Sequence, residues 1–357
     1  EGFRLRDAKR MNFVDGGFTR SKWQDNISKK TQAAVAERGG AGSEQGLTLT
    51  PVTRTWTDRG SAVSQLDYAY VSVAIDANQR VATLTIRGPQ EAPPADAAGL
   101  FATGDTSWAL QAFRELDDAL LELRFNHPTV GLLLLKTQGD IAQVRAWDDA
   151  ISGWRADGDW LAREVQLHQG RVLRRLDNMA RSMYALIEPG SCFAGVLYEV
   201  ALSADRSYML DDPDQENYLQ LHPVNFGAFT TYNGCTRLQV RFLGAADTIA
   251  DLDGNSDLIE PIDAQDMGLV TLSPDDLDWD DEVRIEIEER VSLSPDGLTG
   301  MEQNLRFAGA ETCDTKIFGR LTAWQNWIFQ RPNAVGERGA LSMYGHPEKP
   351  IFDWKRT

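Results

Sequence analysis

An α/β fold with a parallel sheet is what this sequence predicts, on three observations. Short apolar runs alternate with helical periodicity in the order strand, helix, strand, helix, strand. The run 130–135 is continuously apolar, as befits a strand buried on both faces, and 182–187 reads as another short buried strand. The third observation is an internal repeat. Residues 7–35 moved forward by 256 positions fall on 263–291 without gaps. Asp7, Ala8, Met11, Val14, Trp23, Asp25 and Val35 then meet Asp263, Ala264, Met267, Val270, Trp279, Asp281 and Val291, seven identities in 29 positions. Phe13 meets Leu269 and Ile27 meets Val283, so the apolar pattern repeats too.

Each copy reads as a short helix, a turn and a second helix starting near the Trp. In the later copy Ser273-Pro274, followed by Asp275 and Asp276, is a helix-start signal. The first copy is expected to be the tail of a unit that lacks everything before Glu1. Residues 39–66, with Gly39, Gly40, Gly42 and Gly46 among Ser, Thr and Gln, read as a linker. Residues 68–75 and 81–86 alternate around Asp76-Ala77-Asn78-Gln79 and predict a hairpin. Leu110, Phe113, Leu116, Leu120 and Leu123 recur at helical spacing and stop before His127-Pro128. A strand over 130–137, a long helix over 158–181, a strand over 182–187, a helix over 195–204 and a strand over 206–210 follow. Past residue 292 the pattern is helical. Its stripe Ile317, Leu321, Trp324 and Ile328 predicts core or subunit packing. The expected organisation is therefore 1–38, a linker 39–66, a unit 67–292 and a helical segment 293–357.

Composition narrows the function. Apolar residues make up 42% and charged residues 25%, the balance of a folded protein. Lys and Arg number 36 against 53 Asp and Glu, a net charge of −17. Sequence-independent nucleic-acid binding needs the opposite sign, and so does docking on an anionic membrane. No run approaches the ~20 apolar residues that span a bilayer. Cys192, Cys235 and Cys313 form no CxxC pair, so no disulfide framework or zinc knuckle is expected, and a reducing cytoplasm fits. His127, His168, His222 and His346 are scattered without metal spacing. No cofactor is called for, and no phosphate loop of the GxxxxGK kind occurs.

One segment carries candidate chemistry: Ser191-Cys192-Phe193-Ala194-Gly195-Val196-Leu197-Tyr198-Glu199. A buried strand enters a turn, and a helix starts at Gly195. Free N–H groups at that start can hold a thioester oxygen as it gains charge. Val196 is the candidate donor, and Gly139, at the end of the neighbouring strand, is the second. Glu199 lies one helical turn past Gly195 on the same face. The plain alternative is a tight strand–helix junction whose Glu199 pairs with an arginine. Cys192 reads as a small buried residue rather than a nucleophile.

The glycine-bearing turn, the glutamate and the Ala-Asp ending at 204–205 resemble the crotonase (enoyl-CoA hydratase/isomerase) superfamily. Leu186–Gly195, Val224-Asn225-Phe226-Gly227, Phe318–Phe329 and Arg331–Glu337 narrow the resemblance to the benzoyl-CoA-dihydrodiol lyases, also called epoxybenzoyl-CoA dihydrolases. The resemblance implies a crotonase-like ββα spiral with a helical C-terminal segment, one of two such halves in tandem. It implies an acyl-CoA thioester substrate and a homodimer. The implied activity is opening of the non-aromatic ring of the 2,3-epoxide of benzoyl-CoA, with release of formate and an unsaturated aldehyde acyl-CoA. Residue by residue the match to the family's site weakens. Glu199 matches the first glutamate. Gly195-Val196-Leu197 replaces Gly-Gly-Gly, and Pro223 stands where the second glutamate is due. The expectation is that Glu199 is vestigial and this half degenerate, with the active carboxylates in the other half. A working site at Glu199, or a generic enoyl-CoA hydratase/isomerase, is the alternative.

Overall fold

The computed structural model describes residues 2–38, 46–307, 309 and 311–355. The chain forms two compact units, Glu1–Thr48 and Leu49–Thr357.

The first unit holds helices α1 (Leu5–Arg10) and α2 (Trp23–Glu37). α1 ends on Asn12 in the left-handed region (φ 57°), with the Met11 N–H donating to Asp7 O and the Phe13 N–H to Ala8 O. This unit exposes most of its large apolar side chains.

The second unit is built on a seven-stranded sheet in the order β1 (Thr55–Thr57), β2 (Val63–Asp67), β3 (Val71–Asp76), β4 (Val81–Arg87), β5 (Leu132–Gln138), β6 (Ser182–Ile187) and β7 (Arg206–Met209). The first four strands pair antiparallel, and β4 through β7 pair parallel. The β3–β4 hairpin turns where Asp76 accepts the N–H groups of Asn78 and Gln79, the turn that its sequence predicts. Between β1 and β7 the chain adds α3 (Ala97–Thr103), α4 (Trp108–Asn126), α5 (Ile141–Ala156), α6 (Trp160–Asp177) and α7 (Gly195–Leu202).

Every residue of β6 is buried, and alternate residues serve opposite faces. Tyr184 and Leu186 join Leu132, Leu134 and Tyr208 in one apolar cluster, whereas Ala185 and Ile187 join Phe193, Tyr198 and Met209 in another. The remaining elements are β8 (Leu219–Gln220), α8 (Arg237–Arg241), α9 (Ala246–Leu252), β9 (Leu258–Ile259), α10 (Pro261–Asp266), α11 (Trp279–Ser292) and α12 (Pro295–Leu305). Trp279, Val283 and Val291 of α11 close the first cluster. Ala264, Leu269 and Val270, in α10 and its exit, close the second.

α12 is held by charge. The Ser182 hydroxyl donates to Glu302, and Arg306 bonds Glu302, Asp205 and the carbonyls of Leu176, Ser203 and Arg181. α13 (Cys313–Thr315) then passes through a π-helical turn, Lys316–Leu321, into α14 (Thr322–Ile328), and α15 (Pro332–Val335) follows.

The repeat is structural. α1 moved by 256 covers the span of α10, and α2 starts where α11 starts. Asn12 corresponds to Gly268, also left-handed (φ 73°), and the bonds Met267 N–H to Asp263 O and Leu269 N–H to Ala264 O repeat those of the first copy.

Four expectations need correction. The stretch 39–66 is not a bare linker: β1 and most of β2 lie in it, while residues 39–45 fall outside the described residues. Residues 293–357 belong to the same compact unit as the sheet. The helix expected over 158–181 ends at Asp177, because Ala180 turns left-handed (φ 52°) to feed β6. The stripe at 317–328 is only half used: Trp324 and Ile328 pack over Gly300, while Ile317 and Leu321 stay exposed.

Candidate functional site

The segment 191–199 folds as its pattern requires. β6 ends in a turn, Ala194 is extended, and Gly195 (φ 45°) opens α7 without a side-chain cap. The N–H of Val196 is nevertheless not free. It donates to Asp148 Oδ2 at 2.8 Å, and Asp148 reaches in from α5. The Asp148 carboxyl oxygen thus holds the place that a thioester oxygen would need. Burial pushes its carboxyl up to about 8; the Val196 N–H opposes the rise, while Asp149 and Glu199 add to it. Gly195 answers to the same carboxyl. A Cβ there would lie 1.9 Å from Asp148 Oδ2. The glycine makes room for a neighbouring side chain.

The second expected donor is also committed. The Gly139 N–H donates to Gly190 O at 3.0 Å. Gly139 has φ 151°, and a Cβ on it would meet Gly88 backbone at 3.2 Å.

Glu199 has no solvent exposure. Its Oε2 accepts from Arg237 at 3.0 Å and its Oε1 from Asn225 Nδ2 at 2.8 Å. Asn225 also donates to Gly195 O, and Arg237 reaches on to Asp177. Burial raises the Glu199 carboxyl above its ordinary value, while Arg237 and Asn225 pull it back. A carboxylate with both oxygens spent on buried partners has no geometry for moving a proton to or from a ligand. Pro223 is exposed and opens a 3₁₀ turn over Pro223–Phe226; the side chain that faces Glu199 from this turn is Asn225.

Sequence reasoning found Gly139, Gly195, Val196 and Glu199, and its alternative of a tight junction with Glu199 paired to an arginine is what Arg237 forms; it missed Asp148 and the contact of Asn225 to Glu199. His222, set aside in the sequence as one of four scattered histidines, is buried, and its Nε2 lies 2.9 Å from Asp149 Oδ1. Asp148 and Asp149 lie on α5, which its sequence did not announce. Cys192 is buried, and its thiol is pushed up to about 11, chiefly by desolvation, so it is no ready nucleophile.

An open cavity of about 670 Å³ lies beside this turn, at the carboxyl ends of β5 and β6. Among the described residues Asp140, Asp149 and Glu216 line it with one cation, Arg145, and Gly139 and Tyr218 complete much of its wall. Neither Val196 nor Glu199 borders it. Three carboxylates against one guanidinium are a poor match for the phosphates of a CoA ester. Among the described residues no three His, Cys, Asp or Glu side chains are grouped to hold a metal ion. No described helix is long and apolar enough to cross a membrane.

No family model matches the chain. It is 46% identical over 358 aligned residues, its full length, to the benzoyl-CoA-dihydrodiol lyase of Aromatoleum evansii. The chain spans 63% of that relative's length. Among solved structures, an enoyl-CoA hydratase from Geobacillus kaustophilus HTA426 superposes with a TM-score of 0.58 at 17% identity, over 85% of this chain and all of that one. An enoyl-CoA hydratase/carnitine racemase from Magnetospirillum magneticum gives 0.56 at 14%, over 81% and 97%. The fold is therefore the crotonase fold, and the chain is a homologue of the A. evansii lyase.

Proposed function

We propose that this chain is part of a ring-opening acyl-CoA lyase that acts on the 2,3-epoxide of benzoyl-CoA in the cytoplasm, releasing formate and an unsaturated aldehyde acyl-CoA. Within that enzyme its own sheet unit is structural: it packs, shapes the neighbouring cleft and supports a homodimer. The homology to the A. evansii lyase supports the first statement. One observation carries the second, the Asp148 carboxyl oxygen bonded to the Val196 N–H. An oxyanion hole works by presenting unspent donors to developing charge, and here the donor is spent on the protein's own carboxyl. A generic hydratase or isomerase working at Glu199 would need an acid exposed to substrate, and Glu199 is sealed.

The test supplies the epoxide to residues 1–357 and, in parallel, to the A. evansii lyase, and measures formate. Formate is expected from the lyase and none above buffer from this chain. Glu199→Gln, made at the aligned position of the longer enzyme, is expected to change turnover less than tenfold, under ~1.4 kcal/mol of barrier. Formate released by this chain and abolished by Glu199→Gln would reject the structural reading. Sedimentation at micromolar concentration reads the dimer directly.

A further inference from the structure

Asn217 is 5% exposed. Its Nδ2 donates to Ile187 O and to Leu210 O, both at 2.9 Å, and so ties the end of β6 to the exit of β7. Two carbonyls on the amide nitrogen fix the orientation of the group, since a flipped amide would set oxygen against oxygen twice. Its Oδ1 is thereby left with no hydrogen-bond partner among the described residues. A buried acceptor without a donor is costly, and folded proteins keep few of them. Asn217 lines a cavity of about 280 Å³, and what its oxygen lacks can come from there.

Five carboxylates line the same cavity: Asp211, Asp212, Asp214 and Glu216 from the loop 210–218, and Glu260 just before α10. No Lys, Arg or His is among the described residues that line it. Asp212 is occupied within the loop, where it accepts from the Asp214 N–H and from Gln215 Nε2. A water would satisfy the Asn217 oxygen but leave the charge uncompensated; a cation answers both. The side-chain donors are hard oxygens without Cys or His, which disfavours zinc and the softer transition metals. Magnesium demands near-octahedral geometry, whereas calcium takes roughly six to eight oxygens, amide, backbone and water oxygens included, in irregular loops.

We propose that the loop 210–218 and the start of α10 bind one calcium ion, with Asn217 Oδ1 as its buried ligand and the loop carboxylates and Glu260 supplying the charge. Among the described residues no three acids converge before the ion is bound. Asp214, Glu216 and Glu260 are exposed and close on it, and loop carbonyls and water complete the shell. Glu216 and Tyr218 also line the cavity of about 670 Å³. The ion therefore neutralises one of that cavity's three carboxylates and braces its wall against β6 and β7. None of this depends on what the longer enzyme turns over.

The test strips residues 1–357 with a chelator and titrates calcium chloride by calorimetry. One ion per chain is expected, with a Kd below about 1 mM and magnesium weaker by roughly tenfold or more. Asp214→Asn combined with Glu216→Gln, at exposed positions, should weaken calcium binding by roughly tenfold or more with the circular dichroism unchanged. Asp280→Asn combined with Glu282→Gln, an exposed acidic pair on α11, should not. Asn217→Ala should abolish binding; it also cuts the tie between β6 and β7, so if it does not fold the exposed pair decides. Terbium in the site should be excited through Tyr218 and displaced by calcium, and its luminescence should vanish in Tyr218→Phe. No heat with calcium, calcium and magnesium bound alike, or binding that survives the exposed double substitution overturns the proposal; the loop is then a solvated acidic surface and a water serves Asn217. Luminescence that survives Tyr218→Phe puts the ion elsewhere and overturns it as well. None of these readouts measures turnover, so this proposal and the formate result fail independently.

Discussion

Two helix starts follow neighbouring strands of this unit, and they have opposite fates. The one after β5, at Gly139-Asp140, is on the wall of an open cavity of about 670 Å³; the one after β6 and its turn, at Ala194-Gly195-Val196, is in solid protein. Both helix starts are spent internally. The start of α5 is capped by its own Asp140, which accepts from the Ala142 N–H at 2.7 Å. The start of α7 has no cap of its own and receives a carboxyl from α5 instead. The lesson is that a glycine turn with donors facing outward becomes a site only if no other element supplies the acceptor. Here α5 supplies it, and the same carboxyl dictates a glycine at 195.

The sealed end rests on buried partners, and the largest effect should come from removing one. Glu199→Ala leaves the Arg237 guanidinium with Asp177 as its remaining carboxylate partner among the described residues, and is expected to lower stability by about 3 kcal/mol in urea unfolding. A loss below ~1 kcal/mol would mean that water reaches Glu199, and the contrast between the two helix starts would fall.

Gly195→Ala comes next. A methyl in the left-handed region, driven against Asp148 Oδ2, should cost about 2–4 kcal/mol. Asp148→Ala removes the obstacle, so the double variant should be more stable than the sum of the singles by ~1 kcal/mol or more. Strict additivity would show that Asp148 does not hold the turn.

The smallest effect is a slope. In the folded protein the Asp148 carboxyl is raised to about 8, against its usual value of 3.8, so the folded state keeps a proton that the unfolded state gives up. The resulting stabilisation is full below pH 4 and is lost as pH rises through about 8. Glu302, also raised to about 8, adds a slope of the same sign. Asp148→Asn removes one contribution. Relative to the parent protein, it should fare better in urea unfolding at pH 8 than at pH 5. An unchanged difference would place a permanently ionised carboxylate at Val196.

Much of the architecture was legible from local pattern. β6 runs from Ser182 to Ile187 as read, the β3–β4 hairpin and α4 fall where their periodicities lie, and the repeat marked both helix pairs. α5 was not legible. Its Asp148 is buried on the inner face with Val144, Trp147 and Ile151, which breaks the apolar stripe by which a surface helix is recognised. β1 is the edge strand and β2 lies beside it in the antiparallel part of the sheet, where Thr, Ser and Gln suffice and no continuous apolar run is required.

The sequence by itself determined which segments are strands and helices, that one helix pair occurs twice, and that a glycine turn precedes Glu199. Each of these follows from the order of side chains along a few turns of chain. Only the tertiary structure decided that the turn is shut. The groups that shut it, Asp148, Asn225 and Arg237, lie 26–48 residues from their partners, and a hydrogen bond across that distance is fixed by packing. The same holds for the fate of the two Trp residues: identical local signals leave Trp279 buried and Trp23 exposed, because burial depends on which sheet is there to receive them.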